Sequence, residues 1–206
     1  FSHDYSMTSP TITYRIEDRI YVNLTNRCSL VGQFCPKQSG DFSLHEYDLS
    51  LQKHPSAQQA INELKTYADL SEIVFCGYGE STFRLHAMLE VAQWGQQQHK
   101  KVRLNTDGLG NLVHKRNILP ELSENIDSLS ISLNAQNEAI YQRHCQPSIQ
   151  GSYQALRAFI ELAPLYFKDV TATAIDGLEG VDIAACQTIA QQAGVKFKAR
   201  QLDQLG

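Results

Sequence analysis

The chain has 206 residues, 42% of them apolar, which is enough for one domain with a sizeable core. Its formal net charge of −4 argues against a phosphate-binding surface, so nucleic acid is not indicated as a partner, although a near-neutral total can hide a local basic groove. No apolar run approaches the ~18 residues that span a bilayer, so we expect no membrane partner and no signal peptide.

The cysteines and the N-terminus indicate where the protein works and where its domain begins. Five cysteines form an odd set without the spacing of a disulfide scaffold, so we expect a reducing compartment and a cytoplasmic protein. Residues 1–6 resemble a cloning remnant ahead of Met7. We therefore expect an N-terminal tail over residues 1–14 and a single domain over residues 15–206.

Predicted strands alternate with predicted helices along the chain. Apolar and β-branched runs predict six strands, over residues 19–24, 72–76, 101–105, 127–133, 169–175 and 195–202. Helical spacing predicts helices over residues 55–67, 82–98, 136–144, 152–162 and 182–192, and a partly helical segment over 111–122. Helices between strands imply right-handed crossovers and a parallel sheet. Six β/α steps are too few for a closed eight-stranded barrel, so a partial six-stranded barrel and an open doubly wound sheet remain as alternatives.

Polar residues and glycines follow the first five predicted strands. In either parallel architecture, ligands bind where the strands end and the loops begin. Ordinary turn chemistry is the alternative explanation, since Gly, Asn and Asp are frequent in turns. The strand ends concerned are Asn26–Cys28, Cys76–Glu80, Asn105–Gly108, Asn134–Ala135 and Asp176–Gly177.

The loop after the first predicted strand contains two cysteines around an aromatic residue. Cys28 opens the loop, and Phe34 directly precedes Cys35. This order resembles the Cys-x3-Cys-x-aromatic-Cys motif of the radical S-adenosylmethionine (SAM) enzymes, with Gly32 at the position of the middle cysteine.

The later strand ends extend this resemblance over residues 16–202. Residues 77–80 (GYGE) resemble the family's Gly-Gly-Glu motif, and residues 105–108 are similar to its Thr-Asn-Gly turn. Residues 174–177 resemble the start of its Gly-x-Ile-x-Gly segment, although Gly180 stands where that segment ends in Glu. The phrases NLTNRC, IVFCGYGE, VRLNTDGL and SLSISLNA are most similar to the TatD-associated radical SAM proteins.

The resemblance implies a partial (β/α)6 TIM-like barrel with parallel strands, open on one side. It also implies two cofactors, SAM and a 4Fe–4S cluster with Cys28 and Cys35 as iron ligands. Electrons from a protein such as flavodoxin or ferredoxin would then cleave SAM to a 5′-deoxyadenosyl radical, which acts on a small or macromolecular substrate that the sequence does not identify. The residues implied to bind SAM are Phe34 and Ile175 at the adenine, Gly77, Tyr78, Gly79 and Glu80 at the amino group, and Asn105, Ser132 and Asn134 at its other polar groups. Arg143 follows the fourth strand and is a candidate for a bidentate contact to the SAM carboxylate, with a solvated helix arginine as the favoured alternative.

Gly32 leaves alternatives open, because glycine has no ligand atom for iron. Cys76 is the nearest replacement by topology, but a free cysteine is more often a small buried apolar residue. Cys145 and Cys186 are expected in helix cores. The chain is then either a radical SAM enzyme or a degenerate SAM-binding or scaffold protein without cluster chemistry. A cluster-free barrel hydrolase or isomerase is the third alternative, for which no acid–base pair stands out in the sequence.

Overall fold

The chain alternates between strands and helices in the part that the computed structural model describes, which is residues 11–30, 43–44, 47–48, 51, 53–77 and 79–202. The strands are β1 (Thr13–Ile16), β2 (Arg19–Val22), β3 (Ser43–Leu44), β4 (Tyr47–Asp48), β5 (Glu72–Phe75), β6 (Lys101–Thr106), β7 (Ser128–Ser132), β8 (Asp169–Asp176) and β9 (Lys196–Gln201). The α-helices are α1 (Ala57–Leu64), α2 (Leu85–Gln97), α3 (Gly110–His114), α4 (Leu119–Asn125), α5 (Glu138–Cys145), α6 (Ser152–Leu162) and α7 (Ile183–Ala193). Two 3-10 helices cover Ser81–Arg84 and Ala163–Leu165.

Seven strands form the main sheet, in the order β1-β2-β5-β6-β7-β8-β9. The pair β1–β2 is antiparallel, and all pairs from β2 to β9 are parallel. Strands β3 and β4 form a separate antiparallel pair. The parallel strands β2, β5, β6, β7, β8 and β9 correspond to the six strands that the sequence predicts. The predicted fold class, an α/β fold built as a partial TIM-like barrel with an open sheet, is therefore confirmed.

Strand β1 is an element that the sequence does not predict, and it includes Thr13 and Tyr14 of the expected N-terminal tail. The chain turns back into β2 through Glu17 and Asp18, and Glu17 takes a left-handed φ of 56°. Tyr14 is 1% exposed, and its ring stacks on that of Tyr21 with the centroids 5.3 Å apart. A 4-residue strand that buries one side chain carries too short a hydrophobic pattern to be recognised, so the sheet begins before the expected boundary at residue 15.

The two faces of the main sheet differ in chemistry. Paired residues on neighbouring strands point to the same side, so the strand registers divide the sheet into two sets of side chains. One set is apolar and packs against the helices, and it includes Ile20, Val22, Ile73, Phe75, Val102, Leu104, Leu129, Ile131, Val170 and Ala172. The other set, called the inner face here, includes Arg19, Tyr21, Glu72, Val74, Lys101, Arg103, Asn105, Ser128, Ser130, Ser132, Asp169, Thr171, Thr173, Ile175, Lys196, Lys198 and Arg200. The helices thus bury the apolar face, and the inner face is left mostly polar.

Local signals fix where several helices begin and end. The predicted segment over residues 111–122 is divided into α3 and α4, because Lys115 ends α3 with a left-handed φ of 55° and Pro120 lies in the first turn of α4. Helices α1, α5 and α7 begin at the side-chain caps Ser56, Asn137 and Asp182. Among the helices in the described residues, none combines the length and the apolar character needed to cross a bilayer.

Candidate functional site

A cavity of about 220 Å³ is lined by the carboxyl ends of the parallel strands and the loops that follow them. Parallel strands present these ends at one edge of a sheet, so loops that are distant in sequence meet there. Residues predicted to bind cofactors contribute part of the lining, namely Cys28, Gly77, Gly79, Glu80, Asn105, Ser132 and Asn134. The rest of the lining is formed by Leu30, Cys76, Thr106, Asp107, Ser130, Cys145 and Arg200.

The other predicted residues do not line this cavity in the described part of the chain. Ile175 is buried in β8 and lies beside Arg200 of β9, next to the lining residues. Arg143 lies in α5, where its guanidinium pairs at 2.9 Å with the carboxylate of Glu179, and both side chains are largely exposed. The structure therefore places Arg143 in a surface ion pair and does not bring it to the cavity. Gly32, Phe34, Cys35 and Tyr78 lie outside the described residues.

The two glycines after β5 fit their loop closely against the end of β2 and the loop that follows it. A Cβ atom on Gly79 would overlap the carbonyl group of Thr25, and one on Gly77 would come within 2.6 Å of Oδ1 of Asn23. The approach of Gly79 to the Thr25 backbone requires glycine whether or not a ligand binds. The Gly-x-Gly spacing therefore has a packing role in addition to any role in binding SAM.

The carboxylate of Glu80, which is 6% exposed, is engaged within the protein. Its Oε1 accepts hydrogen bonds from the hydroxyls of Thr82 and Thr106, both at 2.8 Å, and its Oε2 accepts from the backbone N–H of Asp107 at 2.7 Å. The backbone N–H of Glu80 donates to the carbonyl oxygen of Arg27 at 2.8 Å. Glu80 therefore fastens the loop after β5 to the loops after β2 and β6, a structural role that its sequence motif does not reveal.

Asp107 is a second buried carboxyl group, and it lies beside both Glu80 and Cys28. Its Oδ1 accepts from the backbone N–H of Leu109 at 2.9 Å, and the Cys28 thiol donates to its Oδ2 at 3.9 Å. Burial, followed by the charge of Glu80, raises the pKa of the Asp107 carboxyl well above its ordinary value. The thiol predicted to bind iron therefore adjoins a carboxyl group that resists ionisation.

Cys76 and Asn105 come from neighbouring strands and line the cavity together. Burial raises the pKa of the Cys76 thiol, whereas a hydrogen bond from Asn105 and the charge of Arg200 act to lower it. Oδ1 of Asn105 is enclosed and has no hydrogen-bond partner among the described residues. Because buried polar atoms are almost always satisfied, this oxygen indicates a position for a donor on a ligand or a water molecule.

Cys145 and Arg200 line the cavity although the sequence did not predict either of them to bind a cofactor. Cys145 is buried at the end of α5, as expected of a helix core residue, and burial raises the pKa of its thiol to about 12. The side-chain amide of Asn134 donates to its sulfur at 3.9 Å. A signal for Arg200 is visible in the sequence, because cations and apolar residues alternate over residues 196–200 (KFKAR) and this period places the cations on one face of a strand.

The donor chemistry of the cavity fits an iron–sulfur cluster in part. Soft sulfur ligands match iron, and the thiols of Cys28, Cys76 and Cys145 all line the same cavity. Among the described residues, however, no three His, Cys, Asp or Glu side chains stand close enough together to hold a metal ion. A cluster would therefore need ligands from the undescribed loop, where Cys35 lies, or a rearrangement of the described thiols.

Solved structures share this fold at low sequence identity. TYW1 with a lysine-pyruvate adduct bound gives a TM-score of 0.64 at 14% identity, over 89% of this chain and 64% of that chain. SuiB of Streptococcus suis bound to precursor peptide SuiA gives 0.67 at 14% identity, over 88% and 38%. anSMEcpe with bound AdoMet gives 0.61 at 12% identity, over 88% and 50%. The chain thus spans less than two thirds of each of these proteins, and the likeness shows the fold alone.

Sequence comparison adds a family to the fold. No curated protein sequence matches the chain. The family profile described as the Radical SAM superfamily matches residues 22–193, which is most of the chain and contains every residue lining the cavity except Arg200. The chain therefore belongs to the radical SAM superfamily.

Proposed function

We propose that this chain binds SAM in the cavity and, with a 4Fe–4S cluster and a reductant such as flavodoxin or ferredoxin, supports radical chemistry on a substrate still to be identified. The cofactors supply the difficult chemistry, which is reductive cleavage of SAM to a 5′-deoxyadenosyl radical. One observation carries the proposal. Residues from the loops after β2, β5, β6 and β7 converge on one cavity, in a chain of the radical SAM superfamily.

The chain's own residues would hold SAM mainly through the backbone of the loop after β5. Gly77 and Gly79 expose that backbone at the cavity, while the Glu80 carboxylate already accepts four hydrogen bonds and contributes by fixing the loop. Oδ1 of Asn105 offers an acceptor without a partner among the described residues, suited to an N–H or O–H group of SAM. Ser132 adds a hydroxyl on β7. Arg143, which pairs with Glu179, is not part of this proposal.

Of the two proposed cofactors, the cluster has the less complete set of protein ligands. Cys28 lines the cavity, Cys35 lies in the undescribed loop, and Gly32 occupies the position of the middle cysteine in the motif. The segments NLTNRC, IVFCGYGE, VRLNTDGL and SLSISLNA support the proposal that the chain is related to the TatD-associated radical SAM proteins. Cys76 and Cys145 line the same cavity as Cys28, so they are the thiols best positioned to replace the missing ligand.

Gly32 also favours a second candidate function, a SAM-binding protein that has lost cluster chemistry. In that case the cavity keeps its polar lining, and binding relies on the loop after β5 and on Asn105. A hydrolase or isomerase without a cluster is not favoured. The carboxyl groups of Glu80 and Asp107 are the acidic pair at the cavity, and both accept hydrogen bonds within the protein.

Anaerobic reconstitution distinguishes the two candidate functions. We expect the unmodified chain to hold a cluster poorly or incompletely, and Gly32→Cys to raise iron and sulfide towards about four of each per chain. SAM should then be cleaved by the variant under reducing conditions, and its products are measured by chromatography. If Gly32→Cys retains no iron but calorimetry detects SAM binding, the degenerate candidate is favoured. If neither chain retains iron or binds SAM, both candidates fail.

A set of cysteine variants tests whether another thiol completes the cluster. Should the unmodified chain already hold about four irons, then Cys76→Ala or Cys145→Ala is expected to remove most of them. Cys186→Ala is the control, because Cys186 is as fully buried as Cys145 but does not line the cavity. Equal iron content in all three variants would exclude both replacement ligands.

A further inference from the structure

We infer that Arg200 forms an anion-binding subsite in the cavity, which holds a carboxylate or phosphate group of a small-molecule substrate. This inference rests on the proposed function for the role of the ligand as substrate. The existence of the subsite does not depend on it, because the anion would bind to this chain's own residues without SAM or a cluster.

Arg200 approaches the cavity from the side of the sheet opposite the proposed SAM loop. It belongs to β9, and strands β6, β7 and β8 separate β9 from β5, where Gly77 and Gly79 follow. Arg200 nevertheless lines the same cavity as Cys76, which lies at the end of β5. Arg200 thus contributes to the lining of the cavity from the inner face of β9.

The guanidinium of Arg200 has no acidic partner in the described part of the chain. The ion pairs there join Arg15, Arg19, Arg103, Arg116, Arg143 and Lys196 to carboxylates, and none of them includes Arg200. Among the described residues that line the cavity, Arg200 is the one Lys or Arg. A guanidinium presents several donors in a planar fork that matches carboxylate and phosphate oxygens. An unpaired one in a polar cavity therefore favours an anionic ligand.

The other cations of the inner face lie nearer the amino ends of their strands than Arg200 does. The inner face of the sheet carries six cations, Arg19, Lys101, Arg103, Lys196, Lys198 and Arg200, and two carboxylates, Glu72 and Asp169. Glu72 is shared between Arg19 at 3.0 Å and Arg103 at 3.4 Å, and Asp169 pairs with Lys196 at 2.7 Å. Among the described residues, Arg200 is therefore the cation of the inner face that lines the cavity at the carboxyl ends of the strands.

The carboxyl groups at the opposite side of the cavity do not cancel the attraction of Arg200 for an anion. Both are engaged within the protein, because Glu80 accepts four hydrogen bonds and Asp107 accepts from the backbone N–H of Leu109 and the thiol of Cys28. Ser130 and Ser132 contribute hydroxyl groups to the lining from β7, which lies between β5 and β9 in the sheet. Neither hydroxyl has a hydrogen-bond partner among the described residues. We therefore assign the anion to the Arg200 side of the cavity, with the serine hydroxyls of β7 as further donors in the same cavity.

The test uses inorganic phosphate and acetate as probes on the full chain without cofactors, at constant ionic strength. NMR of the arginine Nε–H signals, assigned with Arg200→Lys, reports binding at Arg200 itself. We expect phosphate or acetate to shift the Arg200 signal, and the probe that binds more tightly identifies the preferred group. Arg200→Gln should weaken binding of that probe by about tenfold or more. Lys198→Gln is the matched control, with the same charge change two residues away on the same face, and should change binding by no more than about twofold.

Four results would overturn the inference. The first is that neither probe shifts the Arg200 signal, and the second is that Arg200→Gln leaves the affinity for the probe unchanged. Equal weakening by Arg200→Gln and Lys198→Gln would show diffuse attraction without a site. Competition between the probe and SAM, together with loss of SAM affinity in Arg200→Gln, would show that Arg200 binds SAM and not a substrate anion. Failure of the proposed function looks different, because then SAM binding is absent while the Arg200 signal still responds to the probe.

Discussion

The two sides of the cavity use their polar residues in opposite ways. On the clasped wall, formed by Gly77, Gly79, Glu80, Thr106 and Asp107, carboxylate oxygens, hydroxyls and backbone N–H groups bind one another. On the open wall, formed by Ser130, Ser132 and Arg200, the side chains have no such partners among the described residues. Glu80, the carboxylate in the Gly-Gly-Glu-like motif, therefore holds together the loops that surround the cavity. Selectivity for a ligand is then expected from the open wall.

The largest effect on stability is expected from Gly79→Ala, which introduces a steric clash into the clasped wall. The new methyl group would overlap the carbonyl of Thr25, which is backbone and cannot turn aside. We expect the free energy of unfolding to fall by about 3 kcal/mol, measured by denaturant unfolding. The control is Gly151→Ala, at a left-handed φ of 79° with no atom within 4 Å of the added Cβ. It should cost only about 1 kcal/mol, from backbone conformation. Equal losses would mean that the loop after β5 adjusts freely.

A smaller effect is expected from Glu80→Ala, which removes the central acceptor of the clasped wall. The hydroxyls of Thr82 and Thr106 and the N–H of Asp107 would lose their partner in a buried setting. We expect unfolding to become easier by about 2 kcal/mol. Ser132→Ala on the open wall should change stability by less than about 0.5 kcal/mol. A stable Glu80→Ala chain would leave ligand binding as the main role of this carboxylate, so SAM affinity in this variant must be compared with its stability.

The smallest effect is expected in the pH dependence of stability, through Asp107. Its pKa in the folded chain is raised by burial and by Glu80, so the folded state binds this proton more tightly than the unfolded state, whose value is near ~3.9. The stability that the carboxyl contributes is therefore complete below that value and is lost as the pH rises through the folded-state pKa. Asp107→Asn cannot ionise, so its stability relative to the unmodified chain should improve as the pH rises from about 4. Parallel stability curves for the two chains, from denaturant unfolding at several pH values, would contradict the raised pKa.

The fold could be predicted from the sequence because its signals are local. In each parallel strand, apolar residues either alternate with polar inner-face residues or form a short run that ends at glycine. The bounds of each predicted strand lie within two residues of the observed bounds. Strand β1 escaped prediction since it is short and gains its buried Tyr14 only by pairing with β2. The division between α3 and α4 depends on a left-handed Lys115, a residue type with no special preference for that conformation.

The candidate site was only half visible in the sequence, because contacts across the sheet decide it. That loops after different strands meet follows from parallel topology alone, and Cys28, Gly79 and Asn105 were predicted on that basis. The hydrogen bonds from Thr106 and Asp107 to Glu80 depend on the shapes of two loops that are distant in sequence. An interpretation that considers one strand at a time therefore predicts that Glu80 binds a ligand, and it assigns no function to β9.

The β1–β2 hairpin has a consequence for the order in which the molecule folds. It is closed by a turn of two residues, 17 and 18, whereas each parallel pair of the main sheet joins strands separated by longer connections that include at least one helix. Hairpins form in about 1–10 μs, and pairs of distant strands form later because a longer loop must be closed first. During synthesis the N-terminal hairpin is also the first part of the sheet to emerge. Both β9 and the loop after β5 line the cavity, so a cofactor that binds as proposed meets a finished site only after β9 has docked, which would make its binding a late step of maturation.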